Sequence, residues 1–182
     1  MTSILKVSEI QDPTNSNTAL TIDSSGRVDM PSTVMYDTYR LTADHTSNGI
    51  ITAWEKPDNT ICTTVGDSMS VSSGIFTFPR TGVYRVAYFA LIDNAAADGL
   101  TTVELWATTD NSTYERIVYV REGGSSDLDY GTVFGEAVFN INDVSNRKVR
   151  LEAQSISSGS LILGNTDRNE TYICFQYLAP AQ

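Results

Sequence analysis

The chain has 182 residues, with 12 Lys and Arg against 22 Asp and Glu, and its formal net charge is -10. This length suits one domain of ordinary size with an extension, and a domain of about 150 residues buries roughly 70% of its extended-chain surface. The acidic balance argues against nucleic-acid binding and against attraction to an anionic membrane, because both need clustered Lys and Arg.

Two further features of composition narrow the class of protein. No apolar run approaches the roughly 18 residues that a membrane span needs, and the N-terminus lacks the charged-then-apolar order of a signal peptide. We therefore expect a soluble protein without membrane insertion that is not exported by the usual secretory route. Thr, Ser, Asn and Asp are abundant whereas Lys and Glu are scarce, which favours strands and turns.

Residues 1–34 differ in pattern from the rest and predict an N-terminal arm. Its apolar residues lie in two short segments, Ile4, Leu5, Val7 and Ile10 in the first, and Leu20 and Ile22 in the second. The sequence 23–26, Asp-Ser-Ser-Gly, is a turn in which glycine supplies the positive φ. A lone two-stranded ribbon is marginal in water, so this arm needs a partner surface, which is its own body, a sister chain or another protein.

The body, residues 35–182, consists of short alternating segments separated by turn signals. Outside the centre, predicted strands lie at 36–41, 50–54, 61–65, 100–108, 114–121, 133–141, 148–153, 161–163 and 170–178. No segment longer than ten residues keeps a helical period. Short strands spaced by turns every 8–12 residues predict an all-β sandwich or barrel.

The centre of the chain, residues 74–91, predicts two strands hinged at 79–82. Phe76 and Phe78 alternate with more polar residues before the hinge, and Tyr84 begins a second alternating run after it. Proline cannot donate to a strand ladder and glycine tolerates a strained turn, so the break belongs between Pro79 and Gly82.

This stretch resembles the signature of the trimeric jelly-roll heads of complement component q and tumour necrosis factor. The family-signature residues are Phe76, Phe78, Pro79, Gly82, Tyr84 and, in an aromatic closing strand, Phe175. The resemblance covers about residues 36–178 and implies an antiparallel jelly-roll β-sandwich that assembles as a homotrimer. The chain departs from that family in lacking a collagen-like stalk and in its arm, which argues against the animal-type signalling and complement functions.

The arm resembles the opening of many tail-fibre and other virion proteins of tailed phages, particularly marine phages. The resemblance is carried by the blocks at 3–7, 10–12 and 19–26, in that order. It implies a non-enzymatic virion structural protein whose arm binds a capsid, portal or tail protein and whose body is a capsid decoration, head fibre or tail-fibre knob. We expect it in the virion, assembled in the host cytoplasm. The alternative is a receptor- or glycan-binding head that acts in host adsorption.

No residue pattern indicates catalysis, a cofactor or a metal centre. His45 is the only histidine and has no partner at a recognisable spacing, so we expect a solvated loop residue. Cys62 and Cys174 are expected to be small buried residues on strands, and two thiols are too few for a zinc site. A phage depolymerase would need a carboxylate pair in a groove, which a compact sandwich gives no reason to expect.

Two sets of residues allow more than one interpretation. Acidic turns at 93–98, 110–111, 127–129 and 142–143 have oxygen ligands for calcium, although Asp and Asn favour turns for local reasons alone. Aromatic residues on strands could form a sugar platform but more often form the core or the wall between subunits. The aromatic set is Trp54, Tyr84, Tyr88, Trp106, Tyr119, Phe134, Phe139, Tyr172 and Phe175.

Overall fold

The computed structural model describes residues 7–11, 18–29, 34–95, 99–123, 129–157 and 159–182. Within these ranges the secondary structure consists of strands: β1 Glu9–Gln11, β2 Thr18–Ile22, β3 Val28–Asp29, β4 Tyr36–Leu41, β5 Gly49–Ile50, β6 Trp54–Glu55, β7 Ser70–Ser72, β8 Ile75–Thr77, β9 Gly82–Asn94, β10 Thr101–Thr108, β11 Tyr114–Glu122, β12 Asp129–Ile141, β13 Lys148–Gln154, β14 Leu161–Ile162 and β15 Tyr172–Ala179. None of the described residues belongs to a helix that is long and apolar enough to span a bilayer.

The body is a sandwich of two antiparallel sheets. The first sheet has the order β12-β9-β15-β4-β6, with β14 paired to one end of β9. The second has the order β11-β10-β13-β8-β7, with β5 paired to β13. The chain passes repeatedly between the two sheets, as in a jelly roll. The predicted all-β antiparallel jelly-roll sandwich is therefore confirmed.

Most predicted strands are present with shifted ends, and three local differences have physical causes. The predicted strand at 50–54 is divided, because β5 joins the second sheet and β6 joins the first. The predicted strand at 61–65 is wrong, since only Val65 pairs there, in a single bridge to Tyr36. The strand β7 was not predicted, because Ser-Val-Ser has too few apolar residues for a period-two pattern.

The predicted hinge at 79–82 is confirmed as the corner between the two sheets. The strand β8 pairs with β13 in the second sheet, whereas β9 pairs with β12 and β15 in the first. The side chains of Phe76, Phe78 and Tyr84 are all buried between the sheets. Phe78 lies 4.8 Å from Tyr84, centroid to centroid, so the rings fill the inside of the corner.

The ring of Tyr177 explains why glycine occupies position 82. A Cβ atom on Gly82 would lie 2.3 Å from Cε2 of Tyr177. The same ring lies 4.2 Å from the Arg80 guanidinium carbon and 5.4 Å from the Tyr84 centroid. The Tyr84 hydroxyl donates to the Arg80 carbonyl at 2.9 Å. Arg80, Gly82 and Tyr84 thus pack against the Tyr177 ring.

A second tyrosine joins the two sheets. Tyr88 is buried, and its hydroxyl donates to the Val103 carbonyl of β10 at 2.8 Å. Its ring lies over Gly135, where a Cβ atom would come within 2.6 Å of it. Burial raises the pKa of Tyr88, so the hydroxyl stays protonated and remains a donor.

A buried carboxylate holds the long segment between β6 and β7. Asp37 of β4 is 0% exposed. Its oxygens accept hydrogen bonds from Thr64 Oγ1 at 2.8 Å and from the Met69 amide at 2.8 Å, and the Lys56 ammonium lies 3.4 Å away. These contacts hold the segment against β4, because residues 61–65 lack the hydrogen bonds of a strand.

The arm is a three-stranded antiparallel sheet in the order β1-β2-β3, one strand more than the predicted ribbon. The predicted turn is confirmed, since Asp23 Oδ1 accepts from the Arg27 amide at 2.9 Å and Gly26 has φ 77°. Ile4 and Leu5 lie outside the described residues. The division into an arm at 1–34 and a body at 35–182 stays a prediction.

The contact between Tyr177 and Gly82 makes Gly82→Ala destabilising, because the added methyl group has no space beneath the ring. We expect the free energy of unfolding to fall by about 1–3 kcal/mol, measured by urea denaturation. Gly99→Ala is the matched control, since a Cβ atom there meets nothing within 4 Å. Equal effects of the two substitutions would contradict this account of position 82.

Candidate functional site

The outward side of the first sheet carries an apolar row in which Phe134, Phe89 and Tyr172 are register partners. In β9 the even-numbered residues from Tyr84 to Ile92 are buried, so the odd-numbered residues face outward. The strand register places the outward residues of β12, β15 and β4 on the same side of the sheet as those of β9. We call these outward side chains the aromatic face; its apolar members include Tyr36, Ala87, Phe89, Phe134, Val138, Tyr172 and Cys174.

Large side chains on the aromatic face are open to solvent. Phe134 is 55% exposed and Val138 is 61% exposed, although both lie within a thirteen-residue strand. Phe89 stacks on Tyr172 with ring centroids 5.6 Å apart. Single exposed apolar residues are ordinary, but a contiguous apolar patch marks an interaction site. The aromatic face is therefore the candidate functional site.

The centre of the aromatic face is a shallow depression. Ala87 and Cys174 are register partners with small side chains, and both are buried between larger neighbours. The depression has a volume of about 170 Å³, and Phe134 and Tyr172 are among its lining residues. Tyr36 lies at the edge of the depression. Its pKa is raised mainly by the contact with the Cys174 thiol and secondly by burial.

Two arginines on this side of the sheet have carboxylate partners. Arg85 of β9 bonds to Glu136 of β12 through both Nε and Nη2. At the β6 edge, the fully buried Arg40 lies 2.7 Å from Glu55 and 2.6 Å from Asp58. Their pairing lowers the cost of covering these charges with another surface.

The outward side of the second sheet has a different character, which sequence reasoning missed. Glu104 and Glu152 are register partners and are nearly buried. Each carboxylate has its own arginine, with Arg116 3.0 Å from Glu104 and Arg150 2.5 Å from Glu152. The indole of Trp106 also donates to Glu104 at 2.9 Å. Strand alternation in the sequence places one Glu on the outward side of each strand. It does not show that these two strands are neighbours in the sheet.

The structure divides the predicted aromatic residues into three groups. Tyr84, Tyr88 and Phe175 are buried in the core, with Trp54 and Phe139 packed against it. Phe134 and Tyr172 lie on the aromatic face. Trp106 and Tyr119 lie outward on the second sheet, where the Arg116 guanidinium is 4.9 Å from the Tyr119 ring.

The expectations for His45 and Cys62 are wrong. His45 is half-buried, and its backbone exchanges hydrogen bonds of 2.9 and 3.0 Å with Ile162 of β14. Cys62 is exposed in the segment between β6 and β7, which is not a strand, and its thiol is free. Cys174 is buried on β15, as expected.

The acidic turns form local hydrogen bonds where they are described. Asp110 Oδ1 accepts from the Thr113 amide at 2.7 Å, and these loop donors lower the pKa of Asp110. Asp143 Oδ1 accepts from the Ser145 amide at 2.9 Å. Among the described residues there is no group of three or more His, Cys, Asp or Glu that could hold a metal ion. Residues 96–98 and 127–128 of these turns lie outside the described part.

Of the residues predicted to anchor the arm, Ile10, Leu20 and Ile22 lie on its small sheet and Val7 precedes it. Val7 and Ile10 are exposed, whereas Leu20 and Ile22 are half-buried. Ile10 and Leu20 are register partners in β1 and β2. Their role in anchoring stays a prediction.

Comparison with known proteins shows a likeness of fold. No protein-family model and no curated protein matches the sequence. The chain is similar to Eiger TNF from S. frugiperda, with a TM-score of 0.64 and 13% identity over 82% of this chain and 95% of that chain. It is also similar to murine APRIL at pH 5.0, with a TM-score of 0.59 and 13% identity over 80% of this chain and 99% of that chain. The resemblance to tumour-necrosis-factor-type jelly-roll heads is thereby confirmed for the fold.

The enclosed ring of His45 predicts a loss of stability in mild acid. Burial lowers the pKa of His45, so as the pH falls the unfolded chain takes up this proton before the folded chain does. The stabilisation is fully present above the usual histidine pKa of about 6.5 and is lost as the pH falls through the folded-state pKa. The free energy of unfolding should therefore decrease between about pH 7.5 and pH 5.5.

Urea denaturation at several pH values measures this effect. His45→Gln is the test variant, because it removes the only histidine of the chain. Its free energy of unfolding should change less over the same range. An equal loss in the variant would assign the effect to other groups.

Proposed function

We propose that this chain is a non-enzymatic bacteriophage virion structural protein. Its body forms a surface-exposed homotrimer through the aromatic face, and its N-terminal arm anchors the trimer to the particle. The observation that carries the proposal is the exposure of Phe134, Val138 and Tyr36 on one side of a single sheet.

The aromatic face supports self-assembly. The resemblance to tumour-necrosis-factor-type heads implies a trimer, and a closed ring requires one patch of each subunit to meet a different patch of the next. Burying apolar surface contributes about 25 cal/mol per Å², so exposed rings such as Phe134 would add substantially to association. Arg85 and Glu136 already neutralise each other and would need no partner across the interface.

The arm supports anchoring. Ile10 and Val28 expose apolar side chains on a described sheet of three short strands, and Val7 is exposed just before it. Such a sheet buries little surface by itself, and an added protein surface would stabilise it. Its resemblance to the opening of tailed-phage virion proteins makes a capsid, portal or tail protein the proposed partner.

The proposed place of the trimer on the particle is a capsid decoration, a head fibre or a tail-fibre knob. Residues 1–34 contain no coiled-coil or collagen-like repeat, the pattern that a fibre shaft would need. The protein would reach the virion during assembly in the host cytoplasm.

A second candidate is a receptor- or glycan-binding head of a tail appendage. It is favoured by the outward side of the second sheet, where Trp106, Tyr119 and Arg116 combine aromatic and charged groups at the surface. Three such sites on one trimer would bind with a raised effective concentration. Saturable binding of the isolated body to host-cell glycans, lost in Tyr119→Ala, would favour this candidate.

The trimer is tested by the double variant Phe134→Gln/Val138→Gln, which makes the aromatic face polar. We expect the native chain to have the mass of three 19.9 kDa chains and the variant to have the mass of one, measured by light scattering. The matched control is Ile117→Gln/Tyr119→Gln, which replaces exposed apolar side chains of β11 and should leave the trimer intact. A monomeric native protein, or a variant that remains a trimer, would overturn this assignment of the face.

The arm is tested by a truncated chain that begins at Val34, which keeps the buried core residue Met35. We expect this chain to form the same trimer as the full chain by light scattering. We also expect it to be missing from purified phage particles assembled in its presence, as measured by mass spectrometry. Incorporation equal to that of the full chain would exclude the arm as the anchor, whereas loss of the trimer would make it an assembly element.

A further inference from the structure

The outward side of the second sheet brings together cations from separate parts of the sequence. Val103 and Leu105 of β10 point into the core, so the even-numbered residues of β10 and their register partners in β11 and β13 point outward. The cations among these outward residues are Arg116, Arg121, Lys148 and Arg150. Strand order thus forms a cluster of cations that no single segment of the sequence contains.

The charge of this side is opposite in sign to that of the chain. The same outward residues include two carboxylates, Glu104 and Glu152, so the four cations leave two positive charges uncompensated. The chain as a whole has a formal net charge of -10. At one end of this side, Thr108 donates to the turn carboxylate Asp110 at 2.9 Å, so the positive charge is strongest toward Arg121 at the other end. A local positive region on an acidic protein favours an anionic partner.

Three consecutive outward residues of β11 are open to a partner. The side chain of Arg116 is 50% exposed, Tyr119 is 45% exposed, and Arg121 is exposed as well. A guanidinium has five N–H donors, and the 3.0 Å bond from Arg116 to Glu104 uses one of them. Among the described residues, no carboxylate pairs with Arg121. These three side chains therefore present an aromatic ring with a cation on each side of it.

The spacing of the two arginines favours a polysaccharide over a nucleic acid. Arg116 and Arg121 pair with Trp106 and Thr102, four positions apart on β10, which is about 14 Å along the strand. A nucleic-acid strand carries a phosphate about every 3.4 Å, and two cations on an acidic protein neutralise few of these charges. A polyuronate has one carboxylate per sugar ring, and the C–H face of a sugar ring can stack on Tyr119.

We propose that the outward side of the second sheet binds a linear polysaccharide that carries carboxylate groups, such as a polyuronate. One sugar ring stacks on Tyr119, and carboxylates of the same polysaccharide pair with Arg116 and Arg121. Hydrogen bonds between a guanidinium and a carboxylate are charge-assisted and can be bidentate. The inference rests on the glycan-binding candidate, to which it assigns a ligand class, and not on the trimer or the virion role.

Titration calorimetry of the full chain with hexagalacturonate, a linear oligosaccharide with a carboxylate on every ring, tests the proposal. We expect saturable binding with one site per chain. The methyl-esterified hexasaccharide, which has the same rings without charge, should bind about tenfold more weakly. Arg121→Gln should weaken binding of hexagalacturonate about tenfold, equivalent to about 1.4 kcal/mol. Tyr119→Leu keeps an apolar side chain but removes the ring, and should weaken binding about threefold.

Two control variants locate the site. Arg168→Gln removes an exposed cation between β14 and β15, which are strands of the first sheet, and should leave binding unchanged. Phe134→Gln/Val138→Gln should also leave it unchanged, because a hexasaccharide occupies a single subunit whether or not the trimer forms.

The possible failures separate the ligand class from the site. Equal binding of the charged and the esterified hexasaccharide would overturn the ligand class and leave the glycan-binding candidate in place. Tighter binding of an oligothymidylate with the same number of charges would overturn the proposal and assign the cations to a nucleic acid. Absence of saturable binding, or equal weakening by Arg121→Gln and Arg168→Gln, would overturn the site itself.

Discussion

The register of β9 against its two neighbours is the constraint on which the rest of the structure depends. It is fixed by two contacts of a tyrosine ring with a glycine, Tyr88 over Gly135 of β12 and Tyr177 of β15 over Gly82. Neither ring could keep its place if a strand moved by one residue, because the glycine would be replaced by a residue with a Cβ atom. A shift of one residue would also exchange the inward and outward sides of the strand. The same strand register therefore determines which residues form the core and which form the aromatic face.

The two outward sides of the sandwich differ in how far their side chains are paired and covered within a single chain. On the second sheet, Glu104 and Glu152 have arginine partners and are covered by neighbouring side chains. On the first sheet, apolar rings remain open to water around the small pair Ala87 and Cys174. A side whose charges are already paired can face solvent or a polar ligand. A side with exposed apolar rings is instead stabilised by contact with protein. The sandwich therefore has one side suited to assembly and another suited to exposure.

Sequence reasoning predicted what depends on local pattern and missed what depends on distant partners. The alternation around Phe76, Phe78 and Tyr84 predicted the corner, because period-two burial and the Pro-Gly break are both local. Asp37 could not be placed inside, since its burial depends on donors from residues 56–69. The exposure of Phe134 follows from strand order, because a side chain is covered or open according to which strands lie beside it. Residue types alone do not contain that order.

The position of β15 between β9 and β4 has a consequence for how the chain folds during synthesis. β4 and β6 join the first sheet through β15, so residues 36–55 have no place in that sheet until residues 172–179 are made. At about 5–20 residues per second, this delay is on the order of ten seconds. Pairings between distant strands also form slowly. During that interval Tyr39 and Leu41 are unpacked on the nascent chain, and the cell must keep them from aggregating before the sandwich closes.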